Sequence, residues 1–206
     1  MNSGKVTALT ASILLLLSGC SDQRTASKAN FKAAIQAYFD TRPGACVSLP
    51  DREIPFRVSL RPMFNFHPST QERADALVAV GLLTSAPAPK RPFVRDPEIE
   101  YQLTPAGSKV LVKGPQMLGY SSDAFCTGKY RVKDILNFTE PADMLGSRVS
   151  HVTHSYILEG AADWARSPQL LEMNPKFKEE VNGTARQDTL MVLRNDGWID
   201  ARAKGL

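Results

Sequence analysis

The spacing of apolar positions changes repeatedly along this chain, and each change marks a different element. Phe31, Ile35, Tyr38 and Phe39 recur at helical spacing, which predicts an amphipathic helix over about 28–40, stopped by Arg42-Pro43-Gly44. Residues 45–68 alternate apolar and polar in short runs, as in "PFRVSLRPMF", where proline confines any strand to an edge. "STQERADALVAVGLL" opens with a capping box, Ser69 with Glu72, and predicts a helix over about 70–80 that ends at Gly81 and buries Leu77, Val78 and Leu82. "YQLTPAGSKVLV" reads as a hairpin, with Tyr101-Gln102-Leu103 pairing with Lys109 to Val112 around Thr104-Pro105-Ala106-Gly107. "KGPQMLGYSSDA", 113–124, reads as a linker. Beyond it "KYRVKDILNF" and "RVSHVTHSYIL" predict two antiparallel strands. "AADWARSPQLLEM" predicts a short helix that Pro168 breaks or restarts, and Asp196-Gly197 a tight turn between Met191-Val192-Leu193 and Trp198-Ile199. Trp164 and Trp198 are the expected core anchors.

The amino-terminal pattern is of another kind. Val6 to Leu17 is a run of twelve uncharged residues preceded by Lys5. At about 1.5 Å per residue a helix of that length covers about 18 Å, against roughly 30 Å of hydrocarbon. A positive n-region, a short apolar h-region and small residues at its end describe a secretory signal peptide. Leu17-Ser18-Gly19-Cys20 closes the run and resembles the lipobox of bacterial lipoproteins. That resemblance implies cleavage before Cys20 and acylation of its thiol. One acyl chain holds a protein only marginally, and two or more hold it stably. Ser21 after the cysteine, in place of the aspartate that retains enteric lipoproteins in the inner membrane, favours the outer membrane.

With Cys20 lipidated, Cys46 and Cys126 remain as a pair in an oxidising, periplasm-facing compartment, where disulfides persist. Their bridge would close a loop of about 80 residues, a contribution of roughly 4.5 kcal/mol in the chain-entropy account. The rival reading is a nucleophilic thiol, against which stand the lack of C-x-x-C and of any sequence sign of a partner histidine.

Loss of residues 1–19 leaves 187 of 206, with 24 basic and 21 acidic side chains and a net charge of +3. That balance gives no argument for nucleic acid, and the one basic cluster, Lys90, Arg91 and Arg95, lies among prolines in a solvated loop. "LVAVGLLT" followed by "YQLTPAG" resembles the passage from helix to wing in winged-helix domains, over residues 69–112. A DNA reader would need Lys or Arg along the helix that enters the groove, and this one carries only Arg73 beside Glu72 and Asp75. The expected fold is therefore α+β: signal peptide 1–19, lipidated tether 20–27, a helical, winged-helix-like unit 28–112, linker 113–124, and a small antiparallel sheet packed by a helix, 125–206.

Signatures of catalysis are sparse. No serine is followed three residues on by lysine, and G-x-S-x-G, H-E-x-x-H, G-x-G-x-x-G and the P-loop are all missing. His151 and His154, three apart in a strand, fall on opposite faces and cannot jointly hold a metal without a bulge. His67 stands alone before Pro68. Glu140 and Asp143 share one loop as an acid pair or, more simply, a polar turn around Pro141. Tyr120, Phe125 and Tyr130 flank Cys126 and read as core or as cleft lining. "ADALVAVGLLT", "YQLTPAG", "FCTGKY", "YILEGAADWA" and "DGW" together resemble small uncharacterised proteobacterial lipoproteins of the carbapenem-intrinsic-resistance (CpmK/CarG) type. That resemblance implies protection against a β-lactam without hydrolysing it, and carries no site residue. The expected function is a non-catalytic, membrane-anchored lipoprotein facing the periplasm, with no cofactor or metal, binding an envelope protein or a small molecule. The alternative is a hydrolase-like enzyme with a site assembled from distant residues.

Overall fold

Ser27 starts the first helix by accepting a hydrogen bond from the Asn30 amide at 3.2 Å on its side-chain oxygen, one of the helix's otherwise unpaired first-turn donors. In this computed structural model, which describes residues 22–61, 69–117, 120–121 and 123–203, that helix is α1 (Lys28–Asp40). The leader 1–19, Cys20 and His67 lie outside the described residues. Next come β1 (Ala45–Ser48), β2 (Phe56–Ser59), α2 (Thr70–Ala79), β3 (Leu83–Pro87), β4 (Glu98–Leu103), α3 (Pro105–Val110) and β5 (Leu111–Val112). The chain continues through β6 (Gln116–Met117), β7 (Tyr120–Ser121), β8 (Ala124–Thr127), β9 (Lys129–Phe138), β10 (Ala142–Met144) and β11 (Ser147–Glu159). A turn of 3-10 helix at Asp163–Arg166 leads into α4 (Pro168–Met173), α5 (Pro175–Val181), β12 (Arg186–Arg194) and β13 (Gly197–Asp200).

Every strand pairing among the described residues is antiparallel, and with the helices this makes the fold α+β. β9 and β10 both pair along one edge of β11, whose other edge pairs with β12, and β12 in turn with β13, in a five-stranded sheet. β1-β8-β5 and β2-β4-β3 form two smaller sheets, and β6 pairs with β7. The expected capping box is present: Ser69 Oγ accepts from the Glu72 amide at 3.1 Å, and Glu72 Oε2 accepts from the Ser69 amide at 2.6 Å. The helix stops at Gly81, whose φ of +76° favours glycine.

The hairpin expected around Thr104–Gly107 does not form. Thr104 Oγ1 accepts from the Gly107 amide at 2.8 Å and Pro105 occupies the first helical turn, so these residues cap and start α3. Tyr101–Leu103 pairs instead with β2 and β3, and Leu111–Val112 with β8. The final turn is displaced by one residue, with Arg194 opposite Gly197 and Asn195-Asp196 between them.

Two apolar cores result, and they exchange elements. The face of α1 that carries Phe31, Ile35 and Phe39 packs on Val132, Ile135, Val152, Tyr156, Met191 and Trp198 of the large sheet. α4 and α5 return Leu170 and Phe177 to the other core, with Leu77, Leu82, Tyr101 and Phe125. The helix that covers the large sheet is thus α1, from the amino-terminal side of the 113–124 segment. Trp198 is a core anchor, whereas Trp164 is half-buried and stacks on Phe177. Two register shifts in β9 opposite β11 make Val132 and Ile135 face the core together and turn Leu136 outward.

The expected tether is docked from Asp22 onward. Trp198 Nε1 donates to the Arg24 carbonyl at 3.1 Å and Arg24 Nη1 donates to the Asn195 carbonyl at 3.1 Å, which lays this segment over the β12–β13 turn.

Candidate functional site

Where the two cores meet, the end of α1, the loop into β1, the start of α5 and the middle of the large sheet enclose a cleft of about 490 Å³. Gly44 lets the chain leave α1 and enter β1 here. Its φ is +93°, and a Cβ on it would collide with the carbonyls of Thr127 and Gly128. Cys46 follows on the cleft wall. It is disulfide-bonded to Cys126, its direct partner across β1 and β8, with Cα atoms 4.1 Å apart.

The inner part of the cleft is aromatic. Phe39, Tyr130 and Tyr156 form a triangle with ring centroids 5.2, 5.2 and 5.4 Å apart. The Tyr156 hydroxyl donates to buried Glu180 Oε1 at 3.2 Å. Burial first, and then the Glu180 carboxylate as neighbouring charge and acceptor, push the Tyr130 and Tyr156 phenols up, so both stay protonated. The outer part is cationic, with Arg42 and Lys176 exposed and making no ion pair among the described residues.

Arg202 closes one side. Its Nε and Nη2 donate to the two oxygens of buried Asp200 at 2.8 and 2.6 Å, and its backbone amide donates to Oδ1 at 2.9 Å. Burial works against this cation, but the Asp200 hydrogen bonds and charge outweigh it, and its pKa is raised. Arg202 also lies over the Tyr38 ring, 4.4 Å from its centroid, with Arg42 5.8 Å from the same ring. Behind these three residues is a second cleft of about 480 Å³, lined by Ala34, Ala37, Trp198, Ile199 and Asp200.

His154 stands behind the aromatic triangle, fully buried, 5.7 Å from the Phe39 ring and 6.0 Å from Tyr156. Neither ring nitrogen has a hydrogen-bond partner among the described residues. Burial first, then the Arg202 cation, hold its pKa down to about 4, against opposing pulls from Asp200, the Val152 backbone and Asp188. His151 is exposed, so the pair do fall on opposite faces. Glu140 and Asp143 are exposed and line neither cleft; Phe125 is core.

Of the residues singled out from sequence, the cleft gathers Cys46 and Tyr130. Arg42 reads in sequence as part of a helix stop, and Glu180 and Lys176 carry no sequence expectation at all. The signal available for α5 is Pro175 followed by Phe177, Glu180 and Val181 at helical spacing. Among the described residues no cluster of His, Cys, Asp or Glu could hold a metal ion, and no helix is long and apolar enough to cross a membrane. Comparison with protein-family models, with curated proteins and with solved structures returns no match for the chain.

Proposed function

We propose that this protein is a lipid-anchored, periplasm-facing binding protein of the cell envelope that holds a small molecule without transforming it. The observation that carries this reading is the cleft between the two cores, with an aromatic interior, free cations at its mouth and a volume within the range of small-molecule sites. Its chemistry favours holding over turnover. Two phenols with raised pKa values make poor bases, Glu180 is engaged as an acceptor, and the cleft's one thiol side chain is tied up in the disulfide. Anchoring rests on the lipobox-like Leu17-Ser18-Gly19-Cys20. Because the chain is docked from Asp22, only Ser21 separates the lipid-bearing cysteine from the fold, so the β12–β13 turn would face the bilayer.

A winged-helix-like shape belongs to the same proposal, with α2 running into the β3–β4 pair and β2 completing a three-stranded sheet. DNA reading is not part of it. Arg73, the cation on α2, is half-buried and donates back to the Pro50 carbonyl at 3.5 Å, and Asp75 accepts from the Tyr101 hydroxyl at 2.6 Å. Antibiotic protection would take the form of sequestering a β-lactam. The alternative of a hydrolase-like enzyme draws on the way the cleft unites Tyr130, Tyr156 and Glu180 from distant segments.

Purified full-length protein incubated with a chromogenic β-lactam separates the readings. Saturable binding with no ring opening is expected. Turnover that survives repurification and disappears in Glu180→Gln would overturn the binding-protein reading in favour of the enzyme.

A further inference from the structure

Resting on the reading that the cleft takes a small ligand, we infer that Arg42 and Arg202, stacked against Tyr38 in the wall shared by both clefts, form an oxyanion-recognition element. The ligand class is then a small molecule with a carboxylate or phosphate group at this wall and a flat apolar body against Phe39, Tyr130 and Tyr156.

The charge distribution is the first argument. Arg42, Lys176 and Arg202 line the cleft against a single carboxylate, Glu180. Glu180 is at the buried end and accepts from Tyr156, while Arg42 and Lys176 are exposed at the mouth. Asp40, the last residue of α1, does not line the cleft, and accepts instead from Gln36 Nε2 at 2.8 Å. An anion arriving from solvent therefore meets uncompensated cations first.

Preorganisation is the second. Asp200 fixes Arg202 through two side-chain hydrogen bonds that use its Nε and Nη2, which leaves the Nη1 donors without a partner among the described residues. Both guanidiniums rest on one phenol ring, at 4.4 and 5.8 Å. A planar fork already held in place loses little entropy when it grips an oxyanion, which is why arginine outperforms lysine in this role. The mouth is stiffened further by Pro43, Pro175 and the Cys46–Cys126 bond.

The third argument is the partly exposed Tyr130, whose ring belongs to the aromatic triangle and presents a stacking surface beside the cations. A second cleft behind the wall leaves room for a substituent on the far side of the anionic group.

Calorimetric titration of the full-length lipidated protein in detergent tests this with benzoate and phenyl phosphate, against phenol and benzylamine as neutral and cationic counterparts and inorganic phosphate as the bare anion. Benzoate or phenyl phosphate should bind more tightly than phenol, benzylamine and inorganic phosphate. The order between the two distinguishes a carboxylate source from a phosphate source. Arg42→Gln should weaken the anionic probes on the order of tenfold to a hundredfold, as expected for loss of a charge-assisted hydrogen bond. Arg42→Lys should weaken them less, and Arg148→Gln, which removes an exposed cation lining neither cleft, should leave their affinity unchanged. Unchanged thermal unfolding of the Arg42 variants reports an intact fold. Anionic affinity that survives Arg42→Gln overturns the assignment. Preference for phenol or benzylamine also overturns it and leaves the cleft as a ligand site, whereas no binding by any probe overturns both.

Discussion

The Tyr156 hydroxyl donates to Glu180 Oε1 across 3.2 Å, and this hydrogen bond joins the two halves of the molecule. Tyr156 belongs to β11 in the core that α1 covers, while Glu180 belongs to α5, whose Phe177 packs in the other core. A buried hydrogen bond to a charged acceptor contributes about 1.5–3 kcal/mol, and stranding one partner costs its desolvation as well. Tyr156→Phe should therefore lower stability in urea by about 1–2 kcal/mol, since Glu180 retains Tyr130 as a neighbour. Glu180→Ala should cost more, because it leaves the buried Tyr156 hydroxyl without its acceptor, removes the carboxylate beside Tyr130 and opens a void. Equal, near-zero losses for both variants would mean that the contact does not couple the cores.

What could be read from sequence depended on range. α1 and the Ser69–Glu72 capping box rest on residues within one period or one turn of each other, and β9 and β11 on two apolar-polar runs joined by a short connection, and all are present. Thr104-Pro105 is ambiguous by nature, because the residues that open a turn also cap a helix, and here the cap forms. α5 has seven residues, so its Pro175 start and the Phe177–Val181 spacing are a short signal that marks a helix but gives Glu180 no role. The exchange of α1 and α5 between cores is a long-range outcome of packing that no local pattern encodes. Without it Arg42, Tyr130 and Glu180 have no reason to meet. His154 carried only its strand face; its lack of hydrogen-bond partners among the described residues follows from neighbours as distant in sequence as Phe39 and Arg202.

The buried His154 predicts an acid-sensitive fold. Its pKa is held down to about 4 in the folded protein against an ordinary 6.5. Between these values the unfolded chain binds a proton that the folded chain refuses. Its contribution is thus fully present above about pH 6.5 and is lost as pH falls towards 4, with a slope of at most about 1.4 kcal/mol per unit. Carboxylates titrate in the same window, so the useful quantity is the difference between wild type and His154→Leu. The variant should show a shallower loss of stability from pH 6.5 to 4 in denaturant titrations. Parallel curves would show that His154 does not set the slope.

The anchor makes a separate prediction. Cys20→Ala should abolish acylation and yield either uncleaved precursor or soluble protein, as followed by fractionation with a metabolic acyl label. Because the chain docks from Asp22 onward through Arg24 and Trp198, the variant should keep the wild-type unfolding midpoint. A Cys20→Ala variant that still took up the label and stayed with the membrane would remove the lipobox reading while leaving the fold as described.

The disulfide offers the firmest test, because location and architecture both enter it. Cys46 and Cys126 are direct cross-strand partners, with Ala45 opposite Thr127 and Val47 opposite Phe125 on either side. The β1–β8 ladder flanks the bond on both sides, so reduction should leave a folded protein of lower stability, by roughly 2–5 kcal/mol. Cys46→Ser with Cys126→Ser should reproduce that loss, and neither should abolish the α+β circular dichroism spectrum at room temperature. Cys46 also lines the cleft next to Gly44, so the reduced protein should bind anionic probes more weakly even where it remains folded. Thiol alkylation with and without reductant, followed by mass mapping, measures the bond directly. Two cysteines alkylated freely in unreduced exported protein would refute it, and would place a reactive Cys46 thiol on the wall of the cleft.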